Sequence, residues 1–303
     1  MNEFNSEGSV MNPKVSLICC YRSEKAWRRL KVEASRLSSR LVEFIGVDNS
    51  KNKFTLPEAL NYGKELAQGE LLFFVHDDIV LFKKGWDADL MGFFEKNTDC
   101  GVLGFAGGTK AYAAPSTWWT QALENDTFMC MVQTLRDGTE VSYLEFGDAK
   151  EVVGLDGFAL AVEREVIQGF DWSNEIGEWH GYDLDLCYHS YFVKKKKNYV
   201  MPVQMVHHLS MGTVGYEWGQ SMISVWNKYH RHLVSQSNKK GDFEALRIFM
   251  NWTHKEKLRW SLLKAVARNR FSIRGVCSIF LCFSKLLPLK KLGFKLLDLT
   301  VND

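Results

Sequence analysis

The residues with the clearest chemical potential are His76-Asp77-Asp78, which directly follow the apolar run Leu71–Val75. A short apolar run between polar residues is typical of a buried strand in a parallel sheet. Ligands of open α/β sheets bind just beyond the carboxyl ends of the strands. Adjacent carboxylates there repel each other, and a hard divalent cation that also binds a diphosphate would relieve the repulsion. The alternative is a solvated turn that carries two acids.

Two other predicted strands end in residues that could bind a ligand at the same edge. The run 15–20 leads into Tyr21, and the run 41–47 leads into Asp48. The carboxyl ends of parallel strands meet at one edge, so these side chains are expected to line one cleft. A nucleotide fits such a cleft, since Tyr21 can stack on a base, Asp48 can accept a hydrogen bond and Asp78 can hold a metal. No GxGxxG or GxxxxGK[ST] motif is present, which argues against a dinucleotide or P-loop site.

An alternating pattern of strands and helices is predicted to position these residues. Strands are predicted at 15–20, 41–47, 71–75 and 102–106, and helices at 24–38, 56–68 and 85–96. This order predicts an α/β fold in which helices flank a mostly parallel, Rossmann-like sheet with right-handed crossovers. Further on, the sequence predicts a strand or hairpin at 141–153, a helix at 183–195, a strand at 198–207 and a helical, basic C-terminal region.

Composition is that of a globular protein with one large domain or one domain and an appendage. The 303 residues are 46% apolar and 24% charged, which is ordinary for a chain with a full core. Residues 250–303 hold 11 Lys/Arg against 3 Asp/Glu. A basic tail on an acidic body argues against one broad nucleic-acid-binding face.

Cysteine usage and apolar patterning favour a cytoplasmic location. The seven cysteines are an odd number without CxxC spacing, and the polar residues 1–13 lack the apolar core of a signal peptide. No apolar stretch approaches the roughly 18 residues that span a bilayer. Residues 255–297 mix Lys/Arg with large apolar residues. They form either a helical cap on the body or a peripheral contact with the inner face of the membrane.

The first third of the chain resembles the family-2 nucleotide-sugar glycosyltransferases, which have the A-type glycosyltransferase fold. Four segments carry the resemblance in order: Val15-Ser-Leu-Ile-Cys-Cys-Tyr21-Arg22; Val47-Asp48-Asn49-Ser50; Ala59-Leu-Asn61-Tyr-Gly63 with Ala67-Gln-Gly69-Glu70; and Phe74-Val-His76-Asp77-Asp78. The last segment is similar to the family's D-x-D motif, with His76 in place of the first acid.

The resemblance implies a nucleotide-diphosphate sugar as donor and Mn²⁺ or Mg²⁺ as cofactor. The residues implied around the nucleotide sugar are Cys20, Tyr21, Asp48, Asn61, His76 and Asp77. Asp78 is implied as a metal ligand. Because His76 departs from the motif, either Asp77 takes over the ribose contact or His76 is itself a neutral metal ligand.

The second half of the chain resembles the family's acceptor half. The segment 154–165 implies that Asp156 and Gly157 bind the acceptor. The segment Gly181-Tyr182-Asp183-Leu184-Asp185 is similar to the family's acid-rich helix start, with Tyr182 in place of the usual first acid. The resemblance implies Asp183 as the general base, and the alternative is an N-cap of the predicted helix.

Two further residues complete the predicted site. Many members of this fold return a late histidine to the metal, and His207 and His208 end a predicted strand. Neighbouring strand residues point to opposite faces, so one of the pair is expected to reach the metal, and we favour His208. Trp179 is predicted to line the acceptor site, because sugars present apolar faces to aromatic rings; a core tryptophan is the alternative.

These expectations combine into a metal-dependent, inverting glycosyltransferase of cell-surface polysaccharide or glycolipid synthesis that acts on a saccharide or lipid-linked acceptor. We predict a flexible tail at 1–13, a catalytic domain at 14–240 with a nucleotide-binding half (14–108) and an acceptor half (109–240), and a helical basic extension at 241–303. Two alternatives remain. One is a sugar nucleotidyltransferase, although no glycine-rich loop follows the first strand. The other is a catalytically degenerate relative that acts as a membrane-associated partner, which His76 and Tyr182 favour.

Overall fold

The computed structural model describes residues 14–119, 126–143, 146–212 and 214–235, together with 241, 242, 245, 246, 248, 249 and 261. The predicted tail 1–13 lies outside these residues, as does the predicted membrane segment 255–297 except for residue 261. The chain forms two compact units, Met1–Ala111 with Thr117–Thr213, and Tyr112–Ser116 with Val214–Asp303. All predicted site residues belong to the first unit. The domain boundaries predicted from the sequence stay a prediction.

The described residues form short strands and helices throughout. In chain order the strands are β1 (Val15–Tyr21), β2 (Val42–Asp48), β3 (Leu71–Val75), β4 (Ile79–Leu81), β5 (Cys100–Gly104), β6 (Ala106–Gly108), β7 (Thr127–Met129), β8 (Val132–Thr134), β9 (Glu140–Ser142), β10 (Lys150–Val152), β11 (Gly154–Leu155), β12 (Ala159–Glu163), β13 (Lys197–Val200) and β14 (Val206–His208). The helices are α1 (Glu24–Leu37), α2 (Leu56–Leu66), α3 (Trp86–Lys96), α4 (Arg164–Ile167), α5 (Tyr182–Tyr188) and α6 (Tyr216–Ser235), and a π-helical turn at His189–Val193 follows α5.

Among the described residues, the central sheet has seven strands in the order β10-β13-β5-β12-β3-β1-β2. Strand β1 pairs in parallel with β2 and β3, and β13 pairs in parallel with β5. Strand β12 runs antiparallel between β3 and β5, and β10 is antiparallel at one edge. All five residues of β3 are buried, which explains its continuous apolar run. The predicted mostly parallel α/β fold is confirmed.

Local sequence signals explain where the first two helices begin. Ser23 caps α1, because its hydroxyl accepts a hydrogen bond from the Ala26 N–H. Thr55 and Glu58 form a reciprocal capping box at the start of α2. These caps fix the turns that follow β1 and β2, and so they hold the rim of the sheet in place.

Several predicted elements were wrong in their extent. The predicted strand 102–106 covers parts of β5 and β6, which belong to different sheets, and the predicted strand or hairpin 141–153 covers parts of β9 and β10, which also belong to different sheets. The predicted strand 198–207 is two strands in two different sheets, β13 and β14, and Pro202 between them has no N–H for a continuous ladder. The predicted helix 183–195 begins at Tyr182, and its α-helical part ends at Tyr188, where the π-helical turn takes over. The antiparallel strand β12 was not predicted, although it occupies the middle of the sheet.

A four-stranded sheet, β4-β14-β8-β9, brings together residues that are far apart in the sequence. Strand β4 directly follows Asp78, and β14 pairs with it in antiparallel register, so that His208 lies opposite Ile79. Strand β8 pairs with β14 and sets Gln133 opposite His208. A three-stranded sheet, β11-β6-β7, completes the described part of the first unit.

The second unit is built around the 20-residue helix α6. Within it, the ring of Trp218 packs against Phe249 at a centroid distance of 5.9 Å. The carboxylate of Asp242 accepts a hydrogen bond from the Ala113 N–H. Among the helices that the structure describes, none combines the length and the apolarity that crossing a membrane requires.

Candidate metal and donor site

The turn between β3 and β4 holds Asp78 with one carboxylate oxygen bonded and the other unpaired. Oδ2 accepts a hydrogen bond of 2.5 Å from the Ser210 hydroxyl, and the backbone carbonyl accepts one of 2.9 Å from the Leu209 N–H. Oδ1 is buried, and no hydrogen-bond donor of the described residues reaches it. A buried carboxylate oxygen without a partner is costly, so this atom calls for a cation or another ligand.

The ring of His208 is oriented so that the lone pair of Nε2 faces Asp78 Oδ1. Nδ1 lies 3.1 Å from Oε1 of Gln133. The Gln133 amide nitrogen donates to three carbonyls, those of Thr134, His208 and Ser210, so its oxygen must face the ring and Nδ1 must carry the proton. Nε2 is then an unprotonated acceptor, 3.6 Å from Asp78 Oδ1. Two acceptor atoms therefore face each other, as the ligands of one cation do.

The ring of His76 reaches the same point from the end of β3. Its Nδ1 lies 3.8 Å from Asp78 Oδ1, and its Nε2 lies 2.6 Å from the Tyr182 hydroxyl. Burial lowers the pKa of both His76 and His208, although the nearby Asp78 opposes this. Both rings are therefore neutral at physiological pH and have lone pairs to offer.

One ligand atom from each of His76, Asp78 and His208 lies within 4.8 Å of the others. We call these three residues the metal cluster. Their donor set of two imidazoles and one carboxylate fits a divalent cation, and the unpaired Asp78 oxygen is the observation that such an ion would explain. His207 is not part of the cluster, since its Nε2 lies 2.8 Å from the Thr134 hydroxyl.

Most of the predicted nucleotide residues lie at the ends of β1, β2 and β3, whereas Asn61 lies within α2. We call Cys20, Tyr21, Asp48, Asn61 and Asp77 the nucleotide rim. Asp77 Oδ2 accepts hydrogen bonds from the N–H groups of Arg22 and Ser23, at 2.9 and 3.2 Å. It therefore joins the turn after β3 to the turn after β1. Burial raises the pKa of the Cys20 thiol to about 11, so this residue contributes a neutral thiol.

Other rim residues are also bonded to the protein. The Tyr21 ring is stacked on Trp27 at a centroid distance of 5.8 Å, and the residue is buried in the core, so little of its ring is open to a base. Asp48 Oδ1 accepts from the Ser50 N–H at 2.9 Å, a hydrogen bond that lowers the pKa of this exposed carboxyl.

Asn61 uses both polar atoms of its amide on a single residue. Its nitrogen donates to the Trp172 carbonyl at 2.8 Å, and its oxygen accepts from the Trp172 N–H at 3.0 Å. These two bonds tie α2 to the segment that precedes α5. Because both polar atoms of its amide are bonded to Trp172, Asn61 holds the protein's own segments together.

The predicted acceptor residues lie next to the metal cluster because β12 runs antiparallel to β3, which sets its first residue opposite the last residue of β3. Asp156 accepts hydrogen bonds from the Trp118 indole at 3.1 Å and the Phe158 N–H at 3.3 Å, and burial raises its pKa. Gly157 lies against the Tyr182 ring, where a Cβ atom would come within 2.2 Å of the hydroxyl oxygen.

Trp179 lies towards the nucleotide rim rather than beside Asp156. Its ring centroid is 4.5 Å from the Arg22 guanidinium carbon, a cation–π contact. This contact pairs the predicted acceptor residue with a residue that directly follows β1.

Asp183 stands in the first turn of α5, directly after Tyr182. The residue that caps this helix is Gly181, with φ of 82°, so the alternative of Asp183 as an N-cap was wrong. Burial and then the negative charge of Asp156 raise the pKa of Asp183 to about 7. A carboxyl group with that pKa can gain and lose a proton near neutral pH, as a general base must.

Sequence reasoning missed the residues that hold the cluster in position. Gln133 and Ser210 carried no motif that could have revealed them, and Phe158 was noted only as part of the segment 154–165. The Phe158 ring is stacked on His208 at 4.7 Å and fixes the plane of the imidazole. Tyr182 was visible in the sequence only as a departure from the family pattern.

Comparison with known proteins agrees with this architecture. Residues 16–236 match the protein family described as "Glycosyltransferase like family". The fold is similar to that of S. aureus TarS 1–349, crystallised in complex with UDP-GlcNAc, with a TM-score of 0.51, 13% identity and coverage of 84% of this chain and 80% of that one. Against S. aureus TarS, the TM-score is 0.51 at 11% identity, and the match covers 84% of this chain but 48% of that one. No curated protein matches the sequence.

Proposed function

This chain belongs to the glycosyltransferase-like family, and we propose that it is a metal-dependent, inverting enzyme. It would move a sugar from a nucleotide-diphosphate sugar to a hydroxyl group of a saccharide or lipid-linked acceptor. The observation that carries the proposal is the unpaired Asp78 Oδ1, which faces the His208 lone pair at 3.6 Å. We assign the product to cell-surface polysaccharide or glycolipid synthesis.

Asp78 and His208 would hold the cation that the donor diphosphate needs. When bound, a divalent cation offsets the negative charge that develops on the departing diphosphate. Gln133 keeps the proton of His208 on Nδ1, so Nε2 stays available as a ligand. Ser210 donates to the second oxygen of Asp78 and fixes the plane of the carboxylate. The side chains of His208 and Asp78 are therefore oriented before the cation binds.

Asp183 would take the proton of the acceptor hydroxyl. The acceptor oxygen forms a bond to the anomeric carbon while the bond from that carbon to the diphosphate oxygen breaks. The proton passes to the Asp183 carboxylate and the electron pair leaves with the nucleoside diphosphate, so the anomeric configuration inverts. A pKa of about 7 leaves Asp183 partly ionised at neutral pH and able to act.

The nucleotide rim would hold the nucleoside. The second carboxylate oxygen of the exposed Asp48 would accept from a base N–H or a ribose hydroxyl, and the buried Tyr21 ring would have to turn outward to stack on a base. Arg22, stacked on Trp179, would supply positive charge at the mouth of the cleft. Because the similar structure of TarS 1–349 contains UDP-GlcNAc, this sugar nucleotide is the first donor to test.

A two-stage assay tests the proposal. Nucleotide-diphosphate sugars are screened by thermal shift with and without Mn²⁺ or Mg²⁺, and a donor that is present at 100 times its Kd should stabilise the protein by about 2.7 kcal/mol. The donor is then incubated with saccharide and lipid-linked acceptors, and NMR determines the anomeric configuration of the product.

We expect metal-dependent stabilisation by one donor, release of nucleoside diphosphate and an inverted linkage. Release of pyrophosphate from a nucleoside triphosphate and a sugar phosphate would identify a nucleotidyltransferase instead. Absence of binding to every donor with both metals would identify a degenerate relative.

A further inference from the structure

The two acids that this chain lacks relative to the family pattern are replaced by residues that touch each other. His76 Nε2 lies 2.6 Å from the Tyr182 hydroxyl, although the residues are 106 positions apart. We infer that Tyr182 sets the tautomer of His76, so that His76 Nδ1 is a third metal ligand, and the site favours transition metals over Mg²⁺. This inference rests on the proposed function and names the metal class of the same site.

The hydrogen bond to Tyr182 decides which His76 nitrogen can bind a metal. In a neutral imidazole one nitrogen carries the proton and the other offers a lone pair. If Nε2–H donates to the Tyr182 oxygen, Nδ1 offers its lone pair 3.8 Å from Asp78 Oδ1. Histidine ligands of metals commonly donate their second N–H to an outer acceptor in this manner, which fixes ring orientation. Tyr182 is thus a positioning residue that acts through His76.

Tyr182 is held firmly enough to serve as that acceptor. Its backbone carbonyl accepts a hydrogen bond of 2.8 Å from the buried Trp172 indole. Its ring lies on Gly157, where any side chain would collide with the hydroxyl. The His76 backbone N–H also donates to the Phe158 carbonyl at 2.9 Å. Both partners of the contact are therefore fixed through the 157–158 segment.

The resulting donor set differs from one built on carboxylates. His76 and His208 present two imidazole nitrogens and Asp78 presents one oxygen. Imidazole suits ions such as Zn²⁺, Co²⁺ and Fe²⁺, whereas carboxylate, carbonyl and water ligands suit Mg²⁺. Since most sites bind Co²⁺ more tightly than Mg²⁺, the informative quantity is the change in that preference when one nitrogen is removed.

The arrangement also connects the metal to the proposed base. Tyr182 and Asp183 are successive residues in the first turn of α5. A metal bonded to His76 is therefore one hydrogen bond away from the residue next to Asp183. His76 and Tyr182, which replace two acids of the family pattern, thus connect the metal to the acceptor side through their hydrogen bond.

Direct metal binding to the full chain, without donor or acceptor, tests the inference. Calorimetry gives the affinities for Co²⁺, Mn²⁺ and Mg²⁺, and visible absorption of bound Co²⁺ reports its ligand atoms. The variants are His76→Asp, which restores the family's acid, and Tyr182→Phe, which removes one oxygen and keeps the ring. Tyr188→Phe is the matched control, because Tyr188 is a buried tyrosine of the same helix.

We expect His76→Asp to lower the ratio of Co²⁺ to Mg²⁺ affinity by about tenfold or more. Its Co²⁺ band should move to longer wavelength, because oxygen is a weaker-field ligand than imidazole nitrogen. Tyr182→Phe should weaken Co²⁺ binding about 10–100-fold, as loss of an outer partner does. Tyr188→Phe should bind Co²⁺ like the parent.

An unchanged affinity ratio and spectrum in His76→Asp would remove His76 from the ligands. Equal Co²⁺ affinity in Tyr182→Phe and the parent would overturn the role of Tyr182. The proposed function fails separately: metal binding with the expected variant effects but no transfer from any donor would refute the function and leave this inference standing.

Discussion

The nucleotide rim and the metal cluster share one edge of the sheet, yet they differ in how their polar atoms are used. In the rim, Asp48, Asn61 and Asp77 each bond to the backbone of the protein itself. In the cluster, Asp78 Oδ1 is buried with no donor from the described residues, and His208 Nε2 faces it at 3.6 Å. Both regions were identified by motifs of similar strength, but of these atoms it is Asp78 Oδ1 that is buried without a donor among the described residues.

This difference separates residues that shape a site from residues that bind in it. A buried acceptor without a partner costs roughly 1–3 kcal/mol or more, and such a cost persists in a fold when a ligand compensates for it. The rim carboxylates Asp48 and Asp77 carry no such cost, because they already bond to the turns after β1 and β2, and the Asn61 amide is bonded to Trp172. We therefore expect substitutions in the cluster to abolish metal-dependent binding, and substitutions in the rim to have smaller effects that leave the metal dependence intact.

Asp78→Ala should have the largest effect, and it tests the difference between the metal cluster and the nucleotide rim most directly. Loss of the unpaired carboxylate should abolish metal-dependent binding of the donor, as measured by calorimetry with and without Mn²⁺. Asp48→Ala is the matched rim variant, and loss of one hydrogen bond there should weaken donor binding by roughly tenfold while metal dependence is kept. Equal losses in both variants would erase the distinction between rim and cluster.

Asp183→Asn should reduce the rate of transfer by roughly 10²–10⁴-fold, the usual size for loss of a general base. Metal and donor affinity should stay near those of the parent, since Asp183 belongs to neither the cluster nor the rim. Steady-state kinetics measures the transfer rate, and calorimetry on the same preparation measures the affinities for metal and donor. A variant that transfers sugar at the parental rate would exclude Asp183 as the base.

Gln133→Leu should weaken metal binding about 10–100-fold, because the residue that fixes the tautomer of His208 is lost. Gln204→Leu is its control, since the Gln204 amide donates three hydrogen bonds as well, to Met131, Ser142 and Tyr143. Calorimetry with Mn²⁺ separates the two. If both variants lost affinity equally, the loss would reflect disturbed packing of the four-stranded sheet and not a change in the tautomer of His208.

The pH dependence of transfer should follow Asp183, whose pKa is raised to about 7 by burial and by Asp156. The base acts only when deprotonated, so the rate should rise with pH, by about tenfold from pH 6 to 8 if the midpoint stays at 7. A bound cation can only lower that midpoint. A profile from pH 4.5 to 8 that falls with rising pH would contradict the assignment.

Asn61→Ala should have the smallest effect on ligand binding and a clear effect on stability. It removes two hydrogen bonds to Trp172, worth together about 2 kcal/mol of unfolding free energy. Urea denaturation measures this, with Asn174→Ala as the control, because that exposed amide also makes two hydrogen bonds, to the side chains of Thr55 and Glu58, and their loss at the surface should cost less. Donor affinity that falls more than stability would move Asn61 from a supporting role to the binding surface.

The sequence predicted the sheet edge well because its signals are local and strong. Apolar runs marked β1, β2 and β3, and the polar residues after them marked the rim. Asp78 and His208 were both predicted as metal ligands, and the structure places them side by side. These features depend on strand burial and chain direction, which periodicity reveals.

Other parts of the site depend on pairing that a single sequence does not show. Strands β4 and β14 are three residues each, too short for a periodic signal, yet their pairing sets His208 next to Asp78. The segment 154–165 was recognised as a motif, but its strand β12 was not predicted, nor was the antiparallel pairing with β3 that sets Ala159 opposite Val75. Whether a polar atom is already bonded, as in Asn61, depends on tertiary contacts alone.

The most direct test of the account is anomalous diffraction from crystals soaked with Mn²⁺ and a bound donor. We predict one peak about 2.0–2.3 Å from Asp78 Oδ1 and His208 Nε2, with His76 Nδ1 and diphosphate oxygens as further ligands. A peak bound instead to Asp48 or Asp77, or an ordered donor with no peak beside Asp78, would contradict it.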